Sequence, residues 1–274
     1  MKKILGAIAA LAMTVGLAAC GTPVSQGTAN QNQLVVGMEA GYPPFNWTQK
    51  DDSNGAVKIQ GTDQYAGGYD VEIAKRVAKQ LGKELVIVKT EWDGLTPALV
   101  SGKIDAIIAG MSPTEERKAT IDFTDSYYDS QLVLVVKKGS KYANATSLAD
   151  FAGAKVTAQL NTFHYSVIDQ IPGVDKQAAM DNFPAMRVAL QAGTIDAYVS
   201  ELPEALSAQA ANSDFVMVKL TDGFKASPED TQTAVGVKKD SPLTKEINEA
   251  LKTISSEERQ QIMQEAIKNQ PAAE

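Results

Sequence analysis

One nine-residue segment recurs in this chain with six of its nine residues unchanged, and it restricts the fold more than any single element does. Ala98-Leu99-Val100-Ser101-Gly102-Lys103-Ile104-Asp105-Ala106 returns as Ala189-Leu190-Gln191-Ala192-Gly193-Thr194-Ile195-Asp196-Ala197. Each copy reads as a helix end, a glycine that stops the helix, and a strand entering a sheet. Two such joints, one in each half of the chain, predict two α/β lobes built alike. In parallel sheets the ligand side lies beyond the C-terminal ends of the strands. Counting on from the two aspartates puts Gly110 and Glu201 at corresponding rims, which then face one another.

The rest of the chain alternates in the same way. Leu34–Met38 is a short apolar strand. Tyr69–Leu81 is a helix with Ile73, Val77 and Leu81 on one face, Asp70 as its N-cap and Gly82 as its stop. A strand follows over 84–90, then a short helix capped by Asp93 and ending at Gly102. Near the C-terminus Ile247, Ala250, Leu251 and Ile254 form an apolar stripe, and Ser255 with Glu258 forms a capping box. Strand–helix alternation of this kind means largely parallel sheets. The segment 49–67 reads as a long loop to which no chemistry attaches.

The ends of the chain set its address. Lys2 and Lys3 precede an apolar run over 4–17, too short for a comfortable membrane span, so residues 1–19 read as a secretory signal. The run ends Leu17-Ala18-Ala19-Cys20, similar to a bacterial lipobox in which the thiol of Cys20, the only cysteine, is diacylated. Two acyl chains hold a protein at a membrane surface without a spanning helix. Residues 20–33 are polar and Gly/Ser/Thr/Asn-rich, the composition of a flexible tether, and 269–274 read as a frayed tail. Loss of Lys2 and Lys3 with the signal takes the formal charge from −7 to −9. So acidic a chain argues against nucleic-acid binding, which needs basic patches. The ~250 residues that remain exceed most single cores and suit two lobes.

Three groups of residues carry candidate chemistry. The first is the run Gly110-Met111-Ser112-Pro113-Thr114-Glu115-Glu116-Arg117. Ser112 reads as an N-cap, Pro113 as the first helical residue and Glu115 as the partner of a capping box. Arg117 adds a guanidinium fork that matches a carboxylate, or else is a solvated side chain on a plain cap. The second is a strand over 155–159, ending at Gln159, followed by Asn161, Thr162 and a helix-like run from Phe163 to Ile171. Glu201, ending a further strand, either receives an ammonium group or caps the helix that begins at Leu202-Pro203. The third is the rigid aromatic loop Glu39-Ala40-Gly41-Tyr42-Pro43-Pro44-Phe45-Asn46-Trp47. There Tyr42 either walls a pocket, with the face of Trp92 opposite it, or covers the sheet, and Trp92 equally suits packing within a lobe.

Together these segments resemble a known family. Gly68-Tyr69-Asp70-Val71-Glu72-Ile73, with Val77, Ala78 and Leu81, is similar to the signature of the bacterial family 3 solute-binding proteins, which bind polar amino acids for ATP-driven importers. Tyr42-Pro43-Pro44-Phe45, Gly102-Lys103-Ile104-Asp105-Ala106 and Ser112–Arg117 resemble that family in order and spacing, and the similarity runs from about Leu34 to Ile267. The resemblance implies a type II periplasmic-binding-protein fold of two lobes joined by two hinge strands. On that plan 34–129 and 231–268 form the first lobe and 130–230 the second. It also implies roles. Arg117 and Ser112 match the ligand α-carboxylate site, and Gly110 and Thr162 match neighbouring loop positions. Glu201 falls where the family has an aspartate for the α-amino group. Tyr42 matches an aromatic over the ligand side chain, Trp92 an apolar wall and Glu39 an acidic pocket residue. Met111, Gln159 and Phe163 complete the expected set. Three positions depart from the pattern: Asn161 stands for a glycine, Phe163 for a small hydroxyl residue, and Glu201 for the shorter aspartate.

The function expected is capture of a free L-amino acid, with a basic or amide side chain, by hinge closure. The expected partners are ABC permease subunits and the membrane, through Cys20; the protein is a monomer without cofactor or metal. The inventory speaks against catalysis. His164 is the only histidine, its neighbours Phe163 and Tyr165 suit a helix surface or pocket lining, and no phosphate-binding glycine loop occurs. Two alternatives stand beside transport. A cyclohexadienyl-dehydratase-like enzyme would use Glu201 or Glu39 as an acid, and a sensor or adhesion lipoprotein would bind without transport.

Overall fold

The computed structural model describes residues 32–271. The expected signal, Cys20, nearly all of the tether and the last three residues therefore lie outside the described residues. β1 (Gln33–Met38) opens a first sheet. Four short strands follow, β2 (Gly41–Tyr42), β3 (Asn46–Gln49), β4 (Val57–Lys58) and β5 (Tyr65–Gly67). They pair antiparallel in the order β2-β3-β5-β4, so the expected loop over 49–67 contributes two short strands to a separate small sheet. Its alternating pattern is only two to four residues per strand, too short to register as a period.

The chain then runs through α1 (Tyr69–Gln80), β6 (Glu84–Lys89), α2 (Leu95–Ser101), β7 (Ala106–Ile107), α3 (Glu115–Lys118) and β8 (Asp122–Asp129). It crosses to a second sheet through β9 (Leu132–Lys137), β10 (Lys155–Thr157), α4 (Phe163–Val167), β11 (Asp175–Lys176), α5 (Phe183–Ala192), β12 (Ala197–Glu201), α6 (Leu202–Ala211) and β13 (Phe215–Val218). It returns through α7 (Pro228–Thr231) and β14 (Gln232–Val237) and ends in α8 (Leu243–Lys252) and α9 (Ser256–Asn269).

The two sheets have one topology, β6-β1-β7-β14-β8 and β11-β10-β12-β9-β13. In each, the first three strands are parallel and the fourth is antiparallel to the third. That fourth strand, β14 or β9, has just arrived from the other sheet and runs back against its neighbours. The sheets are therefore mixed, which corrects the expectation of largely parallel strands. The two crossings lie side by side, joined by the Ser130 N–H to the Thr231 carbonyl at 3.0 Å.

The duplicated segment is the repeated joint. Gly102 and Gly193 close α2 and α5 in the left-handed conformation, at φ 78° and 74°, which glycine reaches at no steric cost. The Asp105 carboxylate accepts from Val35 N–H at 2.9 Å, and the Asp196 carboxylate accepts from Lys155 N–H at 2.9 Å. Each aspartate thus ties the start of its sheet's third strand to the neighbouring second strand, β1 or β10, the same bond in both lobes.

The core follows the period of the strands. In β9, Val133 and Val135 point into the larger apolar cluster, while Leu134 and Val136 point into a second one on the far face. Both faces are covered, so the strand reads as a continuous apolar run. The larger cluster continues from the first sheet through Tyr42 and Phe45 to Phe183, Met186 and Tyr198 of the second. Among the described residues no helix is long and apolar enough to cross a membrane. At the start of the expected frayed tail, α9 carries through Asn269, and Gln270 donates to the Ser207 carbonyl at 3.0 Å.

Candidate functional site

Asp70 shows how the first rim is held. It is not the N-cap of α1, a place taken by Gly68, but a buried residue inside the first turn. Its carboxylate accepts from Asn46 Nδ2 at 2.7 Å and from the Tyr127 hydroxyl at 2.8 Å. Tyr127 in turn accepts the Gly110 N–H at 3.0 Å. Burial pushes the Asp70 pKa up to about 7 against the pull of these donors. Gly110 is at φ 62°, and a methyl built on it would sit 2.7 Å from Cε1 of Tyr42. Only glycine lets the Tyr42 ring lie flat on this rim.

The helix start after Gly110 is later than expected. The N-cap of α3 is Thr114, whose hydroxyl accepts from Arg117 N–H at 3.4 Å. Ser112 instead donates to the Asp230 carbonyl at 3.0 Å, because the chain is still extended there and β14 runs beside it. Asp93 is likewise no cap, since α2 begins after Gly94, and its Oδ1 accepts from Asn161. Ser255 accepts from Glu258 N–H at 3.1 Å, the half of that capping box the structure contains.

Arg117 is anchored by carbonyls. Its Nη1 donates to Ser112 O at 3.0 Å and its Nη2 to Asn161 O, in the second lobe, at 2.9 Å. The indole of Trp92 lies 5.0 Å from the guanidinium carbon. Burial pushes the Arg117 pKa down to about 10, with Glu116 acting the other way, so the group stays charged at neutral pH. Among the described residues no carboxylate forms a salt bridge with it. Trp92, Met111, Arg117, Thr162 and Phe163 line one cavity of about 360 Å³ between the lobes. Asp93, Glu116, Asn161 and Asp230 share that lining.

The expected residues Glu39, Tyr42, Gly110, Ser112, Gln159 and Glu201 lie outside that lining. Tyr42 and Trp92 do not form an aromatic pair. Phe183, at the start of α5, stacks on Tyr42 at 4.3 Å with the rings 14° apart, and Trp92 covers Arg117 instead. Sequence reasoning missed Phe183. Its signal is Asn182-Phe183-Pro184, an N-cap and a Pro in the first turn, which sets Phe183 at a helix start on the second lobe's rim.

Deeper in the contact between lobes, Gln159 Nε2 lies 3.2 and 3.1 Å from the two Glu39 oxygens and 3.0 Å from the Asp181 carbonyl. Burial pushes the Glu39 pKa up to about 7, opposed by the Gln159 hydrogen bond and aided by Glu91. Thr162 donates to the Gln159 carbonyl at 2.7 Å, holding the turn that carries Asn161. Asn161 is at φ 54°, where asparagine is tolerated, which accounts for its standing in place of glycine. Glu201, the last residue of β12, is fully buried; it occupies the N-cap position of α6, but its side chain makes no capping hydrogen bond. Its Oε1 lies 3.2 Å from His164 Nε2. Burial pushes the Tyr42 hydroxyl well above its ordinary pKa, and the Glu201 carboxylate adds to this. Among the described residues no group of three or more His, Cys, Asp or Glu is arranged to hold a metal.

The sequence profile of the bacterial extracellular solute-binding proteins, family 3, matches residues 34–269. The chain belongs to that family. The arginine-binding extracellular protein ArtP of Bacillus subtilis is 30% identical over 254 residues, covering 92% of each chain. A probable histidine-binding protein of Campylobacter jejuni is 32% identical, over 81% of this chain and 83% of that one. Among solved structures, the amino acid ABC transporter substrate-binding protein AbpA of Streptococcus pneumoniae, bound to L-arginine, aligns with a TM-score of 0.74. It is 27% identical and the match covers 87% of this chain and 95% of that one. The two-lobed α/β architecture is that of these family 3 relatives, which are binding proteins rather than enzymes.

Proposed function

We propose that this family 3 protein binds a free L-amino acid between its lobes and delivers it to the permease subunits of an ABC importer. It does so as a monomer tethered outside the cell membrane by a lipid on Cys20. The observation that carries the reading is Arg117: a half-buried guanidinium facing a cavity, fixed by two carbonyls and left without a carboxylate partner among the described residues. A ligand α-carboxylate supplies that partner, and a charge-assisted bidentate bond is among the strongest such a site can form. Glu201, buried in the second lobe, takes the α-ammonium. Because Glu201 lies outside the cavity lining, one zwitterion reaches both groups only if the lobes part and close around it. Closure gains its free energy from the second-lobe contacts, namely Glu201, the turn at Thr162 and the Phe183 face.

Charge near the site favours a basic side chain over an acidic one. The cavity carries Asp93, Glu116 and Asp230 against the single cation Arg117, and Glu39 lies close by between the lobes. The arginine-binding relatives lend the same support. Thermal-shift screening against the twenty standard amino acids tests the proposal, since a ligand that binds only the folded state raises the melting temperature. L-Arginine is expected to give the largest rise. In calorimetry, Arg117→Ala is expected to lose at least about 2 kcal/mol of binding, the cost of a stranded carboxylate. No shift with any amino acid contradicts the reading, and unchanged affinity in the variant removes Arg117 from it.

A further inference from the structure

The contact between His164 and Glu201 is buried within the second lobe. The two side chains are 8% and 1% exposed, and the Nε2–Oε1 separation is 3.2 Å. An ionised carboxylate only accepts hydrogen bonds, so opposite Glu201 in that form the proton of this bond is carried by Nε2. Phe183 meets the imidazole edge-on at 6.3 Å and stacks on Tyr42 with its face. Around this cluster Glu201 Oε2, the Tyr42 hydroxyl and His164 Nδ1 are buried without a well-formed hydrogen bond, and the Tyr42 hydroxyl lies close enough to the Glu201 carboxylate for that charge to raise its pKa. Buried polar atoms are nearly always partnered. A carboxylate with one oxygen engaged and the other lacking a well-formed hydrogen bond, with a hydroxyl close by, is a receptor for a donor-rich cation. An ammonium group, with three N–H donors, has that chemistry.

We infer that His164 is a positioning residue of the amino-group pocket. By donating from Nε2 to Glu201 Oε1, it fixes the rotation of the carboxylate and presents Oε2, beside the Tyr42 hydroxyl, to the α-ammonium of the ligand. This rests on the zwitterion reading above and adds to it which oxygen takes the ammonium and what holds that oxygen in place. Glutamate at position 201 has one more side-chain torsion than aspartate, so its carboxylate spreads over more rotamers unless a neighbour holds it. The imidazole is that neighbour, delivered by the first turn of α4.

The test is calorimetric titration of the full mature chain with each of the twenty standard L-amino acids and L-cystine. The proteins are the wild type, His164→Leu, His164→Gln, Glu201→Gln and the double variant that combines His164→Leu with Glu201→Gln, each shown folded by circular dichroism. Loss of a hydrogen bond to a charged group weakens binding about tenfold or more, the drop expected for His164→Leu. His164→Gln, which keeps an N–H donor near the Nε2 position, is expected to recover most of it. In the Glu201→Gln background the leucine substitution is expected to cost little more, since no carboxylate remains to orient. Wild-type affinity in His164→Leu, equal losses in the leucine and glutamine variants, or additive losses in the double variant each overturn the positioning role. If Glu201→Gln still loses affinity in those cases, the zwitterion reading survives. A wild type that binds none of the amino acids overturns both.

Discussion

Glu39 and Arg117 show what burial does to single charges in this cleft. Burial moves both pKa values toward the neutral form, Glu39 up to about 7 and Arg117 down to about 10. At pH 7 the guanidinium is still charged, whereas the carboxyl is near its midpoint. A folded-state pKa raised from 4.5 means that the folded protein holds more protons than the unfolded chain between about pH 4.5 and 7. Stability contributed by Glu39 is therefore greatest below that window and falls as pH rises through it. Glu39→Gln removes this term and keeps an acceptor for Gln159. The melting temperature of the variant, relative to wild type, is expected to rise between pH 5 and pH 8. Buried Asp70 titrates in both proteins and cancels in the difference; a difference that stays flat or falls places Glu39 in a more solvated setting. Residue types were legible here where chemistry dictates them: a guanidinium and a carboxylate stand out in any sequence. Their surroundings were not. That Trp92 covers Arg117 and Phe183 covers Tyr42 depends on how two lobes meet, which no local spacing encodes.

At the scale of elements, the turn between β10 and α4 acts as a clasp. The Asn161 carbonyl accepts from Arg117 and, at 3.4 Å, from Trp92 Nε1, and its amide donates to Asp93 at 2.9 Å. All three partners belong to the other lobe. Asn161→Gly deletes the amide bond without straining the φ of 54°, whereas alanine would add strain. The substitution is expected to raise the ligand dissociation rate several-fold, since a hydrogen bond of this kind contributes about 0.5–1.5 kcal/mol. Stopped-flow displacement measures this, and an unchanged rate shows the clasp to be idle. Long helices and the repeated helix–glycine–strand joint were readable because their apolar period spans several turns. Caps were read less well. Ser112, Asp70 and Asp93 are all good cap residues by type, but tertiary acceptors and donors claim them first: the Asp230 carbonyl, the Tyr127 and Asn46 donors, and the Asn161 amide. The small sheet β2-β3-β5-β4 escaped notice because its strands hold too few residues to show alternation.

In the whole molecule, two sheets of one topology exchange a strand each, so the chain passes twice between lobes at adjacent points. The proposed closure requires this joint to act as a hinge, with the cleft contacts deciding between open and closed. A ligand that touches only one lobe shifts nothing; one that bonds both favours closure by the free energy of its second-lobe contacts. The account therefore stands on one molecule bridging Arg117 and Glu201. A crystal structure of the protein with L-arginine, or with whichever amino acid most raises its melting temperature, tests this directly. The account predicts the α-carboxylate within about 3 Å of the Arg117 guanidinium and the α-ammonium at a similar distance from Glu201 Oε2. An amino acid bound in the cleft with its α-ammonium away from Glu201, or its carboxylate away from Arg117, would contradict it.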